Sequence, residues 1–182
     1  MFDLQPDAGA VAVAVDQGAA PYTLPGVNTA RKLAQGIYCG DFSVALGFDW
    51  ARQIVDQFEL VPIPRAPAWV LGAVNVNGLI VPVVDLSTYF SQSLVPAQLQ
   101  RGQRLLVGGI QDEDAENGLA IVFSQTPTQL DYQTRPWPNP QALLLRLQEV
   151  CSGAASNDGR QWYVEIDTVR LMDALSAELS VI

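Results

Sequence analysis

The chain of 182 residues carries 10 Lys and Arg against 19 Asp and Glu, a net charge of −9, and no histidine. With 49% hydrophobic and only 16% charged residues it is too apolar to stay disordered, and its length suits one compact domain built as two small lobes. The acidic balance repels nucleic-acid phosphates and anionic membranes, and the missing imidazole removes His-dependent catalytic triads, His-containing metal sites and imidazole pH switching.

In chain order, residues 1–30 mix Ala, Gly, Pro and Asp without a sustained period and read as a flexible N-terminal arm. The apolar run Val11–Val15 follows Asp3 and Asp7 with no basic residue before it, so it lacks the make-up of a secretory signal. No stretch approaches the ~18 apolar residues of a membrane span, which predicts a cytoplasmic chain with no direct membrane insertion. Residues 31–182 read as a single domain of short apolar stretches, rich in Val and Ile and separated by turn signals, the pattern of a mostly β barrel or sandwich.

Strands are expected at about 33–38, 42–46, 53–61, 71–76, 79–84, 104–110, 119–124 and 161–166. Asn77-Gly78 joins two of them, and both residues tolerate the positive φ of a type I′ turn, so a hairpin is predicted there. Asn117-Gly118 and Asp158-Gly159 repeat that signal. Pro82 has no N–H for a ladder, so its strand is expected at an edge or with a bulge of its own. Asp85 to Phe90 forms a short helical turn, and residues 91–102, with Pro96 and several Gln, mark the division between lobes. The cluster Asp112-Glu113-Asp114-Ala115-Glu116 fails the calcium-loop register: counted from Asp112, the required Gly falls on Asn117 and the bidentate Glu on Phe123. It reads as a solvated hairpin tip.

Asn139-Pro140, the apolar face Leu143, Leu144, Leu147, Val150 and Cys151, and Gly153 predict a helix with Cys151 on its buried side. A final helix starts at Asp167 and turns Leu171, Met172, Leu175 and Leu179 toward the core. Cys39 and Cys151 are too few for a thiolate zinc site and too far apart for a redox pair. Gly108-Gly109 precedes neither a lysine nor a helix, no Gly-x-Gly-x-x-Gly opens a helix, and no Gly-x-Ser-x-Gly elbow exists. Catalytic, cofactor-binding and metal-binding residues are therefore assigned to none. Trp50, Trp69, Trp137 and Trp162 read as core or lobe-interface residues. What remains is an apolar β module whose work is binding protein.

The stretch from Val61-Pro62-Ile63-Pro64-Arg65-Ala66-Pro67-Ala68-Trp69-Val70-Leu71-Gly72-Ala73 through Val74-Asn75-Val76-Asn77-Gly78-Leu79-Ile80-Val81-Pro82-Val83-Val84-Asp85-Leu86 resembles the signature of CheW-like domains: a proline-containing segment, a Gly, an Asn-Leu-Arg-Gly turn and Val-Pro-Val-Val-Asp-Leu. Looser likeness extends over about residues 33–178. The resemblance implies two intertwined five-stranded SH3-like β-barrels with a shared core, a few short helices and a C-terminal helix. It also implies a non-enzymatic adaptor, without cofactor, that couples chemoreceptors to a histidine kinase. The partners implied are the regulatory domain of a CheA-type kinase and a chemoreceptor cytoplasmic tip, with contacts at Gln53, Ile54, Arg65, Val74, Asn75, Asn77 and Gly78.

Two positions depart from the family. Asn77 stands where the family has Arg, and Gln53 in Ala51-Arg52-Gln53-Ile54 stands where it has Glu, so a pair of charges is missing together. Asn77 reads either as an improved turn residue or as an altered partner surface. Arg65 reads either as an exposed loop residue or as a contact near the groove. Trp69 and Asn75-Val76 resemble the pilus-associated branch, which serves twitching motility, and a divergent module that self-associates or binds another partner is the alternative function.

Overall fold

The computed structural model describes residues 30–109 and 118–179. The expected N-terminal arm up to residue 29, Asn117 and the acidic stretch 112–116 lie outside the described residues. The elements follow as β1 (Lys32–Cys39), β2 (Phe42–Gly47), β3 (Ala51–Val55), β4 (Val70–Val76), β5 (Leu79–Val84), α1 (Leu86–Ser91), β6 (Arg104–Gly108) and β7 (Leu119–Tyr132). A 3-10 turn at Pro140–Ala142 leads to α2 (Leu145–Val150), β8 (Cys151–Ala155), β9 (Tyr163–Ile166) and α3 (Thr168–Leu179). The chain is thus mostly β, with few and short helices.

Hydrogen-bonded neighbours run β3-β6-β7-β5-β4 in a first sheet and β7-β1-β2-β9-β8 in a second. Among the described strands β7 alone belongs to both. Its first part, Leu119 to Phe123, pairs β6 antiparallel and β5 parallel. Gln125 then adopts a left-handed φ of 64°, the ladder with β1 shifts register between Gly36 and Tyr38, and the second part pairs β1 as far as Tyr132. The nine strands form one continuous sheet that is not closed.

The run Leu-Ala-Ile-Val-Phe at the head of β7 lacks polar alternation because both faces of the strand are buried. Leu119, Ile121 and Phe123 enter a core shared by both sheets and the three helices, whereas Ala120 and Val122 enter the interior of the first sheet. The same split occurs in β2, where Val44 and Leu46 face the shared core and Ala45 the interior of the second sheet. Each sheet therefore curls round a small interior and leans its other face on common ground, which turns half-polar strands into apolar runs.

Helix ends follow the local sequence. The Asp85 carboxylate accepts from the Ser87 and Thr88 amides at 2.8 and 3.3 Å and starts α1, and the Asp167 carboxylate accepts from the Arg170 amide at 3.1 Å and starts α3. Leu171 and Leu175 are buried and Met172 is partly buried against the shared core, while Leu179 is 45% exposed. The three helices meet at Arg146, whose guanidinium donates to the Tyr89 carbonyl at 2.9 Å, pairs Glu178 at 2.6 Å and lies 4.5 Å from the Tyr89 ring centroid.

Three expectations need correction. The helix predicted from Asn139 to Gly153 breaks: α2 ends at Val150, and Cys151 and Gly153 belong to β8, with Cys151 half-buried. A Cβ at Gly153 would stand 2.6 Å from Thr134 Cγ2 and 2.7 Å from the Arg135 carbonyl, so this glycine admits the close bridge between Arg135 and Ala154. The strand expected over 53–61 stops at Val55, and Val61 returns only as a bridge to Ala73. Pro82, finally, lies in a strand flanked on both sides. It faces Ala73, whose N–H and C=O are bonded to Val61, and the ladder with β7 begins at Val83, so no donor is missed; the bulge lies in β4, between Val70 and Gly72.

Candidate functional site

The β4–β5 hairpin carries no charged side chain, and from Leu60 to Val84 the only one is Arg65. Asn77 and Gly78 have φ of 53° and 90°, the left-handed values that the turn requires. Asn75 Oδ1 accepts from the Gly78 amide at 2.8 Å and pins the tip, and a Cβ at Gly78 would meet nothing within 4 Å, so the tip projects into open space.

The hairpin has one buried and one outward face. Val74, Val76, Val81 and Val83 point into the first sheet's interior. Outward, Ile80 is 65% exposed and stands opposite Asn75. Val61 is 59% exposed beside Ala73. Exposed apolar side chains on an uncharged hairpin have the character of a protein-docking surface. Of the residues that sequence reasoning singled out, Asn75, Asn77 and Gly78 lie together at this tip. Val74 is 1% exposed and supports the patch from beneath.

Gln53 and Ile54 sit on β3, which ends the first sheet's hydrogen-bonded order on one side as β4 does on the other, and the ladder from β3 to β6 slips between Ala51 and Gln53. Gln53 lines a shallow recess with Gln35, Phe48, Arg52 and Leu106. Arg65 occupies a third place, at the base of the hairpin, about 20 Å of extended strand from the tip. It lies on the loop between Val61 and β4, with φ of 60°, beside an open cleft of about 460 Å³ between that loop and α3.

Sequence reasoning missed Ile80, Val61 and the cleft. Leu79 to Val84 is apolar at every position, so periodicity gave no sign of which residue faces out. A signal for Val61 does exist in its company of prolines, Pro62 and Pro64, which cannot continue a ladder.

Chemistry beyond docking has little to build on among the described residues. No group of three His, Cys, Asp or Glu could hold a metal ion, and burial pushes the Cys39 thiol far above its ordinary pKa, away from the reactive thiolate. No described helix is long and apolar enough to cross a membrane.

Comparison with known proteins agrees with this fold. The pattern of the CheW-like domain matches residues 36–176. A chemotaxis protein CheW from Rhizobium meliloti (strain 1021) is 33% identical over 66 residues, which make up 33% of this chain and 43% of that protein, so the match spans less than half of the relative's length. The crystal structure of the scaffolding protein TtCheW from Thermoanaerobacter tengcongensis superposes with a TM-score of 0.58 at 16% identity, covering 76% of this chain and 90% of that one. That likeness shows a common fold, and TtCheW's is the SH3-like β-barrel fold. With the family pattern running from the middle of β1 into α3, the chain belongs to the CheW-like domain family.

Proposed function

We propose that the chain is a non-enzymatic adaptor of chemosensory signalling that acts in the cytoplasm and couples a CheA-type histidine kinase to chemoreceptors. The observation that carries this reading is the outward face of the β4–β5 hairpin: Ile80 and Val61 exposed, no charge among them, in a chain of net charge −9. An uncharged face with exposed apolar side chains, in a chain whose net charge keeps like copies apart, is suited to hold a partner. The kinase regulatory domain is the partner assigned to the Ile80 and Val61 face, and the receptor tip is assigned to the surface that holds Asn77 at the turn and Gln53 and Ile54 on β3.

Titration calorimetry with a purified CheA-type regulatory domain tests the kinase contact. The wild-type chain is expected to bind with micromolar affinity, and Ile80→Asp, at a 65% exposed site where the fold tolerates it, to weaken binding at least about tenfold. Absence of association at high micromolar concentration would remove the kinase from this reading.

A second reading is supported by Asn77 and Gln53, the uncharged residues at both positions where the family carries a charge. In it the chain keeps the scaffold and binds a different partner, as an adaptor of twitching-motility signalling among other roles, or self-associates. Trp69 supports the pilus-associated version little, because it is 4% exposed and packs edge-on against Tyr89, with ring centroids 5.3 Å apart. Light scattering separates the readings: a concentration-dependent dimer that ignores the kinase domain favours the second.

A further inference from the structure

We infer that the cleft between the Arg65 loop and α3 is a second docking site, separate from the hairpin tip, and that it takes an apolar segment of a protein partner bearing an acidic side chain. The cleft measures about 460 Å³, a size that accepts a few side chains of a docked segment. Ile63 and Trp69 line one wall and Met172, Leu175 and Leu179 the other. Ile63 is 42% and Leu179 45% exposed, so apolar surface continues from the floor to the rim on both sides. Prolines 62, 64 and 67 stiffen the loop, which lowers the ordering cost of docking, and Met172 supplies an adaptable side chain on the opposite wall.

Charge decides the chemistry of the occupant. Among the described residues Arg65 is the only charged one lining the cleft, and it is exposed at the rim. Five of the chain's ten cations are drawn into ion pairs with its own carboxylates, Arg31, Lys32, Arg104, Arg146 and Arg170, and Arg65 is not among them. In a chain with almost twice as many acidic as basic groups, a cation kept on an apolar rim selects a carboxylate and rejects an ammonium group. Its left-handed backbone turns the loop at this residue. A rim charge of this kind acts through steering and selectivity, and the apolar walls supply the contact area.

The experiment uses the full chain and a pair of synthetic amphipathic peptides, each with leucines along one face, one carrying a glutamate beside them and the other a lysine. Amide shifts in an NMR titration locate the site, and the dissociation constants give the selectivity. The expected result is saturable perturbation of residues 63–69 and 172–179, with the glutamate peptide binding about tenfold tighter at low salt and the preference shrinking as ionic strength rises. Arg65→Asn, which keeps a residue suited to positive φ, should reduce the preference to about twofold, and Arg65→Glu should invert it. Leu179→Gln should weaken both peptides. Ile80→Asp should leave both unaffected, which separates this site from the kinase contact. Equal affinity of the two peptides, or perturbation away from the cleft, overturns the inference. A several-fold gain in affinity on deleting residues 1–29 would also overturn it, since the occupant would then be the chain's own N-terminal segment.

Discussion

The first sheet encloses Val74, Val76, Val81, Val83, Leu105, Val107, Ala120 and Val122, a wholly aliphatic interior. The second encloses Ala34, Ala45, Leu130, Tyr132, Ala155 and Tyr163, small residues filled out by phenol rings. Their surfaces differ in step with their interiors. The second sheet closes its polar groups on itself: Arg31 pairs Asp131 at 2.7 Å, Lys32 reaches the 7% exposed Glu165 at 2.7 Å, and Asn157 accepts from the Asp131 amide and donates to the Gln129 carbonyl. The first sheet leaves the β4–β5 hairpin bare of charge, with one ion pair, Arg104 to Asp56 at 3.8 Å, beside β3. Charges along a strand discourage pairing with other chains, so the division is between a sheet with ion-paired flanks and one with an uncharged hairpin.

β7 is where this division breaks down, and it is where mutation should do most damage. Phe123 is 0% exposed in the shared core, pairs with Arg104 in the first sheet, and lies just before the Gln125 kink that redirects β7 into the second. Phe123→Ala should cost about 3–5 kcal/mol in chemical denaturation. Both halves should unfold in one transition, since both lean on this side chain; two separated transitions would show that the halves fold independently.

A smaller loss is expected where the first sheet meets the shared core at Gly108. A Cβ there would lie 2.4 Å from the Trp50 ring, and Trp50 is itself buried at 8% exposure. Gly108→Ala should destabilise by about 1–3 kcal/mol through this overlap, with a shift in tryptophan fluorescence as the ring is displaced. Unchanged stability and fluorescence would mean that Trp50 is free to swing aside.

These two sites also mark how much was legible beforehand. Hydrophobic stretches bounded by Gly and Asn signals placed eight of the nine strands and the β4–β5 turn, because hairpin chemistry is local. The signature around Val81-Pro82-Val83-Val84-Asp85 carried the family, and Asp85 as a helix start was readable from its own side chain. β8 was not readable: Cys151-Ser152-Gly153-Ala154-Ala155 consists of small residues with low strand preference, made a strand by pairing with β9. Nor was the double membership of β7, since a strand buried on both faces looks the same whether it serves one sheet or two. Within the site, the turn at Asn77-Gly78 was readable because its chemistry is local, whereas Asn75 came with the family resemblance. Ile80 and the Arg65 cleft were not, because exposure and the approach of α3 are set by tertiary packing.

The polar interior of the second sheet can be tested by pH. The Tyr38 and Tyr163 hydroxyls lie 3.3 Å apart, and the hydrogen bond with Tyr163, followed by burial, raises the Tyr38 pKa to about 12. The folded value lies above the unfolded value of about 10, so the neutral hydroxyl's contribution is complete below pH 10 and is lost as pH rises through 12. Tyr38→Phe should cost about 1 kcal/mol at neutral pH, and its denaturation midpoint should fall less steeply than that of the wild type over that alkaline range. Parallel profiles would place the alkaline sensitivity on another group, such as Tyr132, whose pKa burial also raises.

The smallest effect on the fold should come from the hairpin tip, and it bears most directly on what the first sheet is for. Asn77 holds φ of 53°, a conformation that asparagine accepts more readily than arginine, and its side chain is exposed. Asn77→Arg, which restores the family residue, should therefore cost no more than about 1 kcal/mol in denaturation. Its effect on binding separates the two readings of this position. Stronger association with a chemoreceptor tip would mean that the receptor surface persists and that asparagine reflects the turn's preference. Unchanged receptor affinity alongside intact kinase binding would mean that the tip has passed to another partner. The double variant Gln53→Glu with Asn77→Arg sharpens the outcome, because it restores the missing pair of charges together. A receptor surface that needs both charges would respond to the pair by more than the sum of the single changes, whereas one that reads the turn alone would respond additively.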